Sequence, residues 1–375
     1  MSAPPTVPAY RCAAEVDLGA IRRNAGRLRA RAKPGTEMLV AVKANAYGHG
    51  LVPVARTLAS AGVGWFGVAT PEEALALRAA GVPGRILLFG PVRGPALPRL
   101  LAAGADLTVC DEDDVASVLE ALPAGADPAR LHLKVDTGMG RLGRRPDEAI
   151  AVARRVADDA RLRLTGLWTH FACADEPSRG RTERQIAAFD ALTAELAADG
   201  VRPELRHAAN SAGVLAFPAA HGDLIRPGLS VYGYPPGPEL ADAAADLEPA
   251  LRWTAPVAFV KRVRAGEAVS YGHRWTAASD TTVATVRVGY GDGYPRALTN
   301  LGVATVAGRT GRVVGTVCMD QLMLDVGDAD VAVGDEVVLM GPGGPGADAL
   351  AERIGTIAYE LLTGVGTRVL RRYRT

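Results

Sequence analysis

Cysteine is scarce in this sequence, and the few cysteines are not clustered. Four are spread over 375 residues, at Cys12, Cys110, Cys173 and Cys318, and none belongs to a CxxC pair or to a Cys/His cluster. Disulfide-stabilised domains are small and rich in cysteine, and structural zinc sites have their ligands at short, regular spacings. The pattern therefore indicates neither a disulfide framework nor a structural zinc site, and it fits a reducing compartment.

Excess charge and long apolar runs are also absent. The net charge is +1, from 42 basic and 41 acidic residues, so there is no electrostatic reason to expect nucleic acid or an acidic membrane as a partner. No apolar run approaches the roughly 20 residues of a membrane span. The opening segment, MSAPPTVPAYR, lacks the basic and then apolar layout of a secretory signal. We expect a cytoplasmic protein without a metal.

What the sequence does contain, over its first 230 residues, is a series of short apolar runs separated by helix-like stretches. Strands that are apolar on both faces and alternate with helices predict a parallel sheet covered by helices. Eight such units favour a closed (β/α)8 barrel of the TIM type, and an open doubly wound sheet is the alternative. The eight runs are EMLVAVK, GWFGVA, RILLF, DLTVC, LHLKV, LTGLWTH, ELRHAA and DLIRPG.

Two of the helix-like stretches begin with a capping pattern. Thr70 is followed by proline and then by Glu73, and Thr182 is followed three residues later by Gln185. A Ser or Thr three residues before Glu or Gln is typical of a helix N-terminus, because each side chain can bond the other's backbone N–H.

The pattern changes after about residue 235. Alternating runs such as APVAFVKRV, TTVATVRVG and DEVVLMG, separated by glycine and aspartate turns, predict a mostly β domain. We therefore divide the chain into a barrel domain, residues 1–235, and a C-terminal β domain, residues 236–375. A chain of this length is comfortable for two domains.

Lys43 follows the first strong apolar run, in AVKANAYGHG. In a (β/α)8 barrel the active site forms at the carboxyl ends of the strands, where this lysine is expected. Burial disfavours a charged amine, so the pKa of Lys43 should fall and the amine should become nucleophilic. A lysine whose charged end simply reaches solvent is the alternative.

Eight motifs in fixed order resemble those of the alanine racemases, which are pyridoxal-phosphate (PLP) enzymes built from a barrel and a β domain. The resemblance runs from about Val16 to Tyr373. It implies a racemase that supplies D-alanine for peptidoglycan. The motifs are AVKANAYGHG, KVDTGMGRLG, THFACAD, RHAANSAG, IRPGLSVYG, VSYGHRW, VGYGDGYPR and GTVCMDQ.

The resemblance also implies how PLP would be held. Lys43 matches the lysine that forms the Schiff base, and Arg226 matches the arginine that meets the pyridine nitrogen, with His170 beside it. A guanidinium keeps its proton near neutrality, so that nitrogen would accept a hydrogen bond and stay unprotonated, which favours racemisation over transamination. The positions that match the phosphate contacts are Tyr47, Asn210, Ser211, Gly228 and Leu229.

Racemisation removes a proton from one face of Cα and returns one to the other, so two bases are expected. The resemblance implies Lys43 on one face and Tyr271 on the other. In the family this tyrosine comes from a second subunit, as does the residue matching Met319, whose backbone N–H holds the substrate carboxylate. Tyr290 matches part of the entrance. A homodimer with shared active sites is therefore expected.

Arg141 matches an arginine that binds the cofactor ring oxygen and the substrate carboxylate. Lys134 matches a lysine that carries a carbamate in some relatives. Two neighbouring cations repel, and a carbamate would turn Lys134 into an anion that orients Arg141. An unmodified lysine with a depressed pKa or a salt bridge is the alternative.

One position departs from the family pattern. Several relatives have a tyrosine directly before the RV of the terminal stretch TGVGTRVLRR, and this chain has Thr367 there. A roomier, more polar pocket would admit serine or another small amino acid beside alanine. A non-catalytic PLP-binding protein is a further alternative, and a decarboxylase is disfavoured because Arg226 would then have to be acidic.

Overall fold

A computed structural model describes residues 12–375, and these form two compact units. The barrel unit comprises Ile21–Ala46 and Leu51–Glu248. The β unit comprises residues 12–20, Tyr47–Gly50 and Pro249–Thr375. The opening segment, in which we expect no secretory signal, lies outside the described residues.

The strands are short except for β10. In chain order they are β1 Ala13–Asp17, β2 Glu37–Ala41, β3 Trp65–Val68, β4 Arg85–Leu88, β5 Asp106–Val109, β6 Ala129–Lys134, β7 Leu162–Trp168, β8 Leu205–His207, β9 Leu224–Ile225, β10 Leu251–Val263, β11 Ala268–Val269, β12 Trp275–Thr276, β13 Thr281–Val286, β14 Val303–Val306, β15 Arg309–Val313, β16 Leu322–Gly327, β17 Glu336–Met340 and β18 Leu370–Arg374.

The helices concentrate in the barrel unit. In chain order they are α1 Leu18–Arg31, α2 Lys43–Tyr47, α3 Leu51–Ser60, α4 Pro71–Ala79, α5 Leu97–Ala102, α6 Glu112–Ala121, α7 Pro146–Ala157, α8 Thr182–Ala198, α9 Ser211–Ala216, α10 Ala347–Glu352 and α11 Ala358–Gly364.

Strands β2 to β9 form one eight-stranded parallel sheet in the order β8-β7-β6-β5-β4-β3-β2-β9. The end strands meet, because the N–H of Arg226 donates to the carbonyl of Ala209 at 2.7 Å and Asn210 forms a parallel bridge with Arg226. Each of the eight apolar runs in the sequence contributes one of these strands. The predicted (β/α)8 barrel followed by a mostly β region is confirmed.

The barrel interior is filled by side chains from different strands. One cluster joins Leu39, Trp65, Leu87 and Leu224, each at most 3% exposed. These residues come from β2, β3, β4 and β9, so the layer ties together strands on both sides of β2. Residues from several strands share a layer in barrels of this type, which makes the interior a packed core.

Both predicted helix starts are confirmed, but only the first has the predicted capping bonds. The Thr70 side chain accepts the N–H of Glu73, and the Glu73 side chain returns a bond to the backbone, ahead of α4. The helix α8 begins at Thr182, but neither Thr182 nor the preceding Arg181 caps it with a side-chain hydrogen bond. The Gln185 amide is committed elsewhere, since it accepts the N–H of Ala172 at 2.9 Å.

The β unit is a largely antiparallel sheet in the order β13-β16-β15-β14-β17-β10-β1-β18, with β13 also paired to β10. The long strand β10 therefore pairs with three neighbours. β1 and β18 run parallel, with Ala13 opposite Leu370. A buried cluster inside the unit contains Val263, Val269, Ala277, Val283, Val314 and Met323.

Several expected absences can be checked over residues 12–375. No helix in this range combines the length and the apolar character needed to cross a bilayer. No group of His, Cys, Asp and Glu side chains in it is arranged to hold a metal ion. The four cysteines, all of which lie in the described part, are free thiols.

Candidate active site

Lys43 begins an unusual turn at the carboxyl end of β2. The next four residues all have left-handed dihedral angles, with φ of 53° at Ala44, 56° at Asn45, 53° at Ala46 and 52° at Tyr47. None of them is glycine, so each carries the steric cost of a Cβ in this region of φ/ψ space. Strain of this kind persists only where surrounding contacts hold the backbone, and it is common at functional sites.

Glu73 is one of the residues that hold the turn. Its carboxylate accepts the N–H of Ala44 at 2.6 Å and, through its other oxygen, the N–H of Ala69 at 2.9 Å. The same side chain therefore caps α4 and fixes the backbone next to Lys43. Burial lowers the pKa of Lys43, as does the charge of Arg141, while Glu73 opposes the shift. The direction is the one expected for an amine that must spend time neutral.

The loop after β6 presents Arg141. Asp136 organises this loop by accepting the N–H groups of Gly138 at 2.9 Å, Met139 at 2.9 Å and Gly140 at 3.1 Å. A carboxylate that gathers three N–H groups fixes the backbone of a loop in the way a cap fixes a helix end. Arg141 itself is exposed to solvent.

Lys134 ends β6 and is 2% exposed. Burial lowers its pKa to about 8, and the charge of Arg226 acts in the same direction. The Lys134 amine lies 5.2 Å from the ring centre of Trp168. The largest repulsion on this lysine thus comes from Arg226, whereas the sequence analysis expected Arg141.

Arg226 follows β9 and is 4% exposed. Its Nη2 donates to the carbonyls of Thr169 at 2.7 Å and Ala208 at 2.9 Å, and its Nη1 lies 3.0 Å from Nδ1 of His207. Burial lowers the pKa of Arg226 to about 9. At neutral pH the guanidinium remains charged, and its Nε–H points to none of these acceptors.

His170 lies where the cations of the barrel unit converge. Its Nδ1 is 3.5 Å from Nη2 of Arg226. Burial lowers the pKa of His170 well below its usual value, and four positive charges add to the effect. In decreasing order, these come from Arg226, Arg141, Lys134 and Lys43. The barrel unit therefore brings together five of the residues singled out in the sequence, around an imidazole that stays neutral.

Ser211 marks a second corner of the barrel unit. Its hydroxyl oxygen accepts the N–H of Gly228 at 2.9 Å and that of Ser230 at 3.3 Å. The side chain of Asn210 accepts the N–H of Gly213 at 2.9 Å and so caps α9. Leu229 is 1% exposed in the same turn. A hydroxyl that accepts two N–H groups still has its own proton to donate.

Tyr47 lies in the β unit with the segment that follows it. Burial raises the pKa of Tyr47 to about 12, so its hydroxyl is a proton donor at neutral pH. Gly48 has φ of 81°, and a Cβ there would lie 2.1 Å from the carbonyl oxygen of Leu362. Arg371 also donates to the carbonyl of Gly48 at 2.9 Å. The segment after Tyr47 is thus held tightly by the C-terminal part of its own unit.

Tyr271, Tyr290 and Met319 also belong to the β unit, and their side chains are 74%, 43% and 53% exposed. Tyr271 borders an open hollow of about 500 Å³. The turn that carries Tyr290 is bonded to the turn that carries Met319, since Tyr290 N–H donates to the carbonyl of Cys318 at 3.0 Å. Thr367 is exposed in a turn.

Sequence reasoning missed several residues that shape the barrel part of the site. Trp168 is stacked on His207 with ring planes 2° apart and centres 5.7 Å apart, and the Arg226 guanidinium lies 4.9 Å from the Trp168 ring. His207 stood inside a recognised motif without a role, and Glu73 was recognised only as a helix cap. The available signal for His207 was a histidine at the end of a predicted barrel strand, in ELRHAA.

Comparison with known proteins decides the family. The model of the alanine racemase N-terminal domain matches residues 16–236, and that of the alanine racemase C-terminal domain matches residues 250–373. The chain belongs to the alanine racemase family. It is accordingly an isomerase of the amino-acid racemase class.

Individual relatives are similar over nearly the whole chain. The alanine racemase of Streptomyces coelicolor is 43% identical over 375 residues, covering 97% of this chain and 96% of the relative. That of Frankia casuarinae is 45% identical, with the same coverage of 97% and 96%. The crystal structure of alanine racemase from Streptomyces lavendulae, a D-cycloserine producer, matches with a TM-score of 0.93 at 43% identity, covering 100% and 98% of the two chains.

Proposed function

We propose that the chain is a PLP-dependent racemase that interconverts L-alanine and D-alanine, with Lys43 and Tyr271 as opposing bases. The observation that carries the proposal is the convergence of four cationic side chains on the neutral His170 in the barrel unit. Such a cluster suits a ligand that brings an anionic ring oxygen and a carboxylate. The family name of the relatives, alanine racemase, supplies the substrate.

The barrel residues fit PLP. Ser211 has a hydroxyl proton left to donate to an anion, because its oxygen already accepts the N–H groups of Gly228 and Ser230. Arg226 has Nε–H left to donate to a ring nitrogen, because its described hydrogen bonds use Nη1 and Nη2. We assign the phosphate to Tyr47, Asn210, Ser211, Gly228 and Leu229, and the ring to Arg226, His170 and Arg141.

Bound through the amine of Lys43, PLP supplies electron withdrawal that makes the hydrogen on the substrate Cα acidic. Lys43 is suited to take that proton on one face once the substrate amine has displaced it, because burial lowers its pKa and favours the neutral amine. Arg226 stays a donor, so it leaves the ring nitrogen unprotonated and limits the withdrawal. The proton then returns to Cα in preference to a transamination.

The opposing base and the carboxylate donor are proposed to come from a partner subunit. The support is the exposure of Tyr271 and Met319 in the β unit, since a base that works on a sheltered Cα cannot be 74% exposed in the assembled site. We therefore propose a homodimer in which the β domain of each chain, taken as residues 236–375, completes the site on the barrel domain of the other, taken as residues 1–235.

The dimer can be tested by mixing two variants that each lack one of the bases. Lys43→Ala homodimers should be inactive and Tyr271→Phe homodimers should retain only a small residual activity, but a heterodimer contains one site with both bases intact. Random exchange of subunits should restore about a quarter of the wild-type activity if the sites are shared. No recovery after demonstrated subunit exchange would show that both bases come from one chain.

Lys134 is proposed to carry a carbamate. The support is its pKa of about 8, which leaves a fraction of neutral amine to react with CO2 at neutral pH. The resulting anion would lie among cations, where the ammonium form is repelled by Arg226 and Arg141. A ¹³C carbamate signal from enzyme equilibrated with labelled bicarbonate, lost in Lys134→Arg, would support this. A spectrum without that signal would show that Lys134 is unmodified.

Relaxed specificity for serine is a second candidate, favoured by Thr367 at a position where several relatives have tyrosine. A cytoplasmic location and a role in supplying D-alanine for peptidoglycan complete the proposal. The first experiment is to incubate L-alanine with enzyme and PLP and to follow loss of optical rotation. Binding of PLP without racemisation would point to a non-catalytic carrier, and release of CO2 would point to a decarboxylase.

A further inference from the structure

A series of polar side chains crosses the interior of the barrel unit. Asp106 begins β5, His132 lies within β6, His207 ends β8 and Arg226 follows β9. The first three are 0% exposed and Arg226 is 4% exposed. Because all strands of the barrel run in the same direction, Asp106 lies near their amino ends and Arg226 near their carboxyl ends.

At each contact in this series, from Arg226 to Asp106, the donor is on the Arg226 side and the acceptor is on the Asp106 side. A guanidinium can only donate, so Nδ1 of His207, 3.0 Å from Nη1 of Arg226, must accept. The proton of His207 is then on Nε2, which lies 2.9 Å from Nδ1 of His132. That nitrogen accepts in turn, and the proton of His132 is on Nε2, 3.5 Å from a carboxylate oxygen of Asp106.

The charge states of the two imidazoles agree with this direction of donation. Burial lowers the pKa of His207 well below its usual value, with Arg226 adding to the shift. Burial also lowers the pKa of His132, against an opposing effect of Asp106. Both imidazoles are therefore neutral near pH 7, as one donor and one acceptor per ring require. Asp106 also forms ion pairs with Arg85 and Arg130, and these stabilise its negative charge.

The residues around His132 and His207 leave space for the two rings but little freedom for them to rotate. Gly166 on β7 lies opposite His132, and a Cβ there would be 2.1 Å from Nδ1 of that ring. On the other side, Trp168 is stacked on His207. Neither imidazole can turn without displacing a packed neighbour, so the hydrogen-bond direction is fixed by packing as well as by charge.

We propose that Asp106, His132 and His207 are positioning residues that hold Arg226 in one orientation as a hydrogen-bond donor toward the cofactor ring. The proposal rests on the proposed function, because it takes Arg226 as the residue that meets the ring nitrogen. The three residues act through Arg226 and do not touch the reacting atoms.

The first test uses the apoenzyme and is independent of catalysis. The chain has six histidines, so ¹⁵N-histidine labelling gives a spectrum that can be assigned by comparison with His132→Phe and His207→Gln. We expect His132 and His207 to carry their protons on Nε2 and to have unprotonated Nδ1 atoms at neutral pH. A proton on Nδ1 of either residue would reverse the direction and overturn the proposal.

The second test breaks the series at a residue distant from the cofactor. His132→Phe keeps a ring in the cavity and leaves Asp106 paired with its arginines, but removes the acceptor for His207. We expect kcat for alanine to fall about tenfold, the value of one hydrogen bond, with little change in KM. The absorption maximum of bound PLP should shift as well. His132→Gln, which can still accept from His207, should recover most of kcat.

His221→Phe is the matched control, because His221 is also 0% exposed and its Nε2 lies 3.2 Å from the carbonyl of Val214, outside the series. It should leave kcat and the PLP spectrum unchanged. Circular dichroism confirms that each variant is folded. An inactive wild type would refute the proposed function while the apoenzyme spectrum still tests the series. An active wild type with unchanged kcat in folded His132→Phe would refute the positioning role.

Discussion

The left-handed turn after Lys43 predicts an unusual response to glycine. Ala44 is exposed, has φ of 53°, and makes its backbone hydrogen bond to Glu73 through N–H, which glycine retains. Ala44→Gly therefore removes only a methyl group that lies in an unfavourable backbone conformation. We expect this substitution to stabilise the protein.

The magnitude follows from two opposing effects. An L-residue in the left-handed region costs about 1–2 kcal/mol, and the additional chain entropy of glycine in the unfolded state costs about 0.5–1 kcal/mol. The net gain in the free energy of unfolding is therefore about 0.75 kcal/mol at the midpoints of the two ranges, within limits of about 0–1.5 kcal/mol. No buried surface is lost, since the Ala44 side chain faces solvent.

The control is Ala76→Gly. Ala76 is also exposed, but it lies in the right-handed helix α4, where glycine destabilises by about 0.5–1 kcal/mol. The two variants should move the urea midpoint of the apoprotein in opposite directions, with a similar dependence of the free energy of unfolding on urea concentration. If Ala44→Gly lowers the midpoint as Ala76→Gly does, the turn is not under the strain that its dihedral angles imply.

Three further predictions concern the chemistry. Lys43→Ala should abolish racemisation and the borohydride-reducible link to PLP while the fold survives, because the tether and one base are lost together; normal turnover would contradict the assignment. Tyr271→Phe should lower both net rates and change the deuterium isotope effects measured separately from L- and D-alanine, because only one direction loses its base; full activity would refute the two-base mechanism. Wild type should racemise L-serine measurably, and Thr367→Tyr should depress serine relative to alanine in kcat/KM by about tenfold; an unchanged ratio, with no serine turnover in wild type, would show that position 367 does not set specificity.

Most of the barrel strands could be predicted because they are short runs that are largely buried on both faces, and burial of that kind leaves a continuous apolar signature; β8, with the sequence LRH, is the exception. The strands β1 and β18 could not be predicted. Their sequences, AAEVD and LRRYR, carry little apolar alternation. β18 pairs with β1, and β1 pairs with β18 and β10, so both depend on contacts between distant parts of the chain, which a local pattern does not report.

Some features of the site could likewise be predicted from the sequence, and others could not. Lys43 could be identified by its place at a strand end within a recognised motif. The left-handed turn that follows it could not be predicted, because ANAY contains no glycine, the residue that usually indicates positive φ angles. The contact between His132 and His207 depends on the strand order of the sheet, in which β7, with Gly166 opposite His132, lies between β6 and β8. Sequence separation hides such a contact until the fold is known.

The pairing of β1 with β18 has a consequence for synthesis of the protein. β1 is synthesised before the other described strands, yet its neighbours β10 and β18 are Leu251–Val263 and Leu370–Arg374, so one of its edges stays unpaired until β18 has been made. The barrel segments, which contact one another over shorter distances in sequence, can assemble meanwhile. A nascent chain stalled before Leu370 would expose an open strand edge and be prone to aggregation.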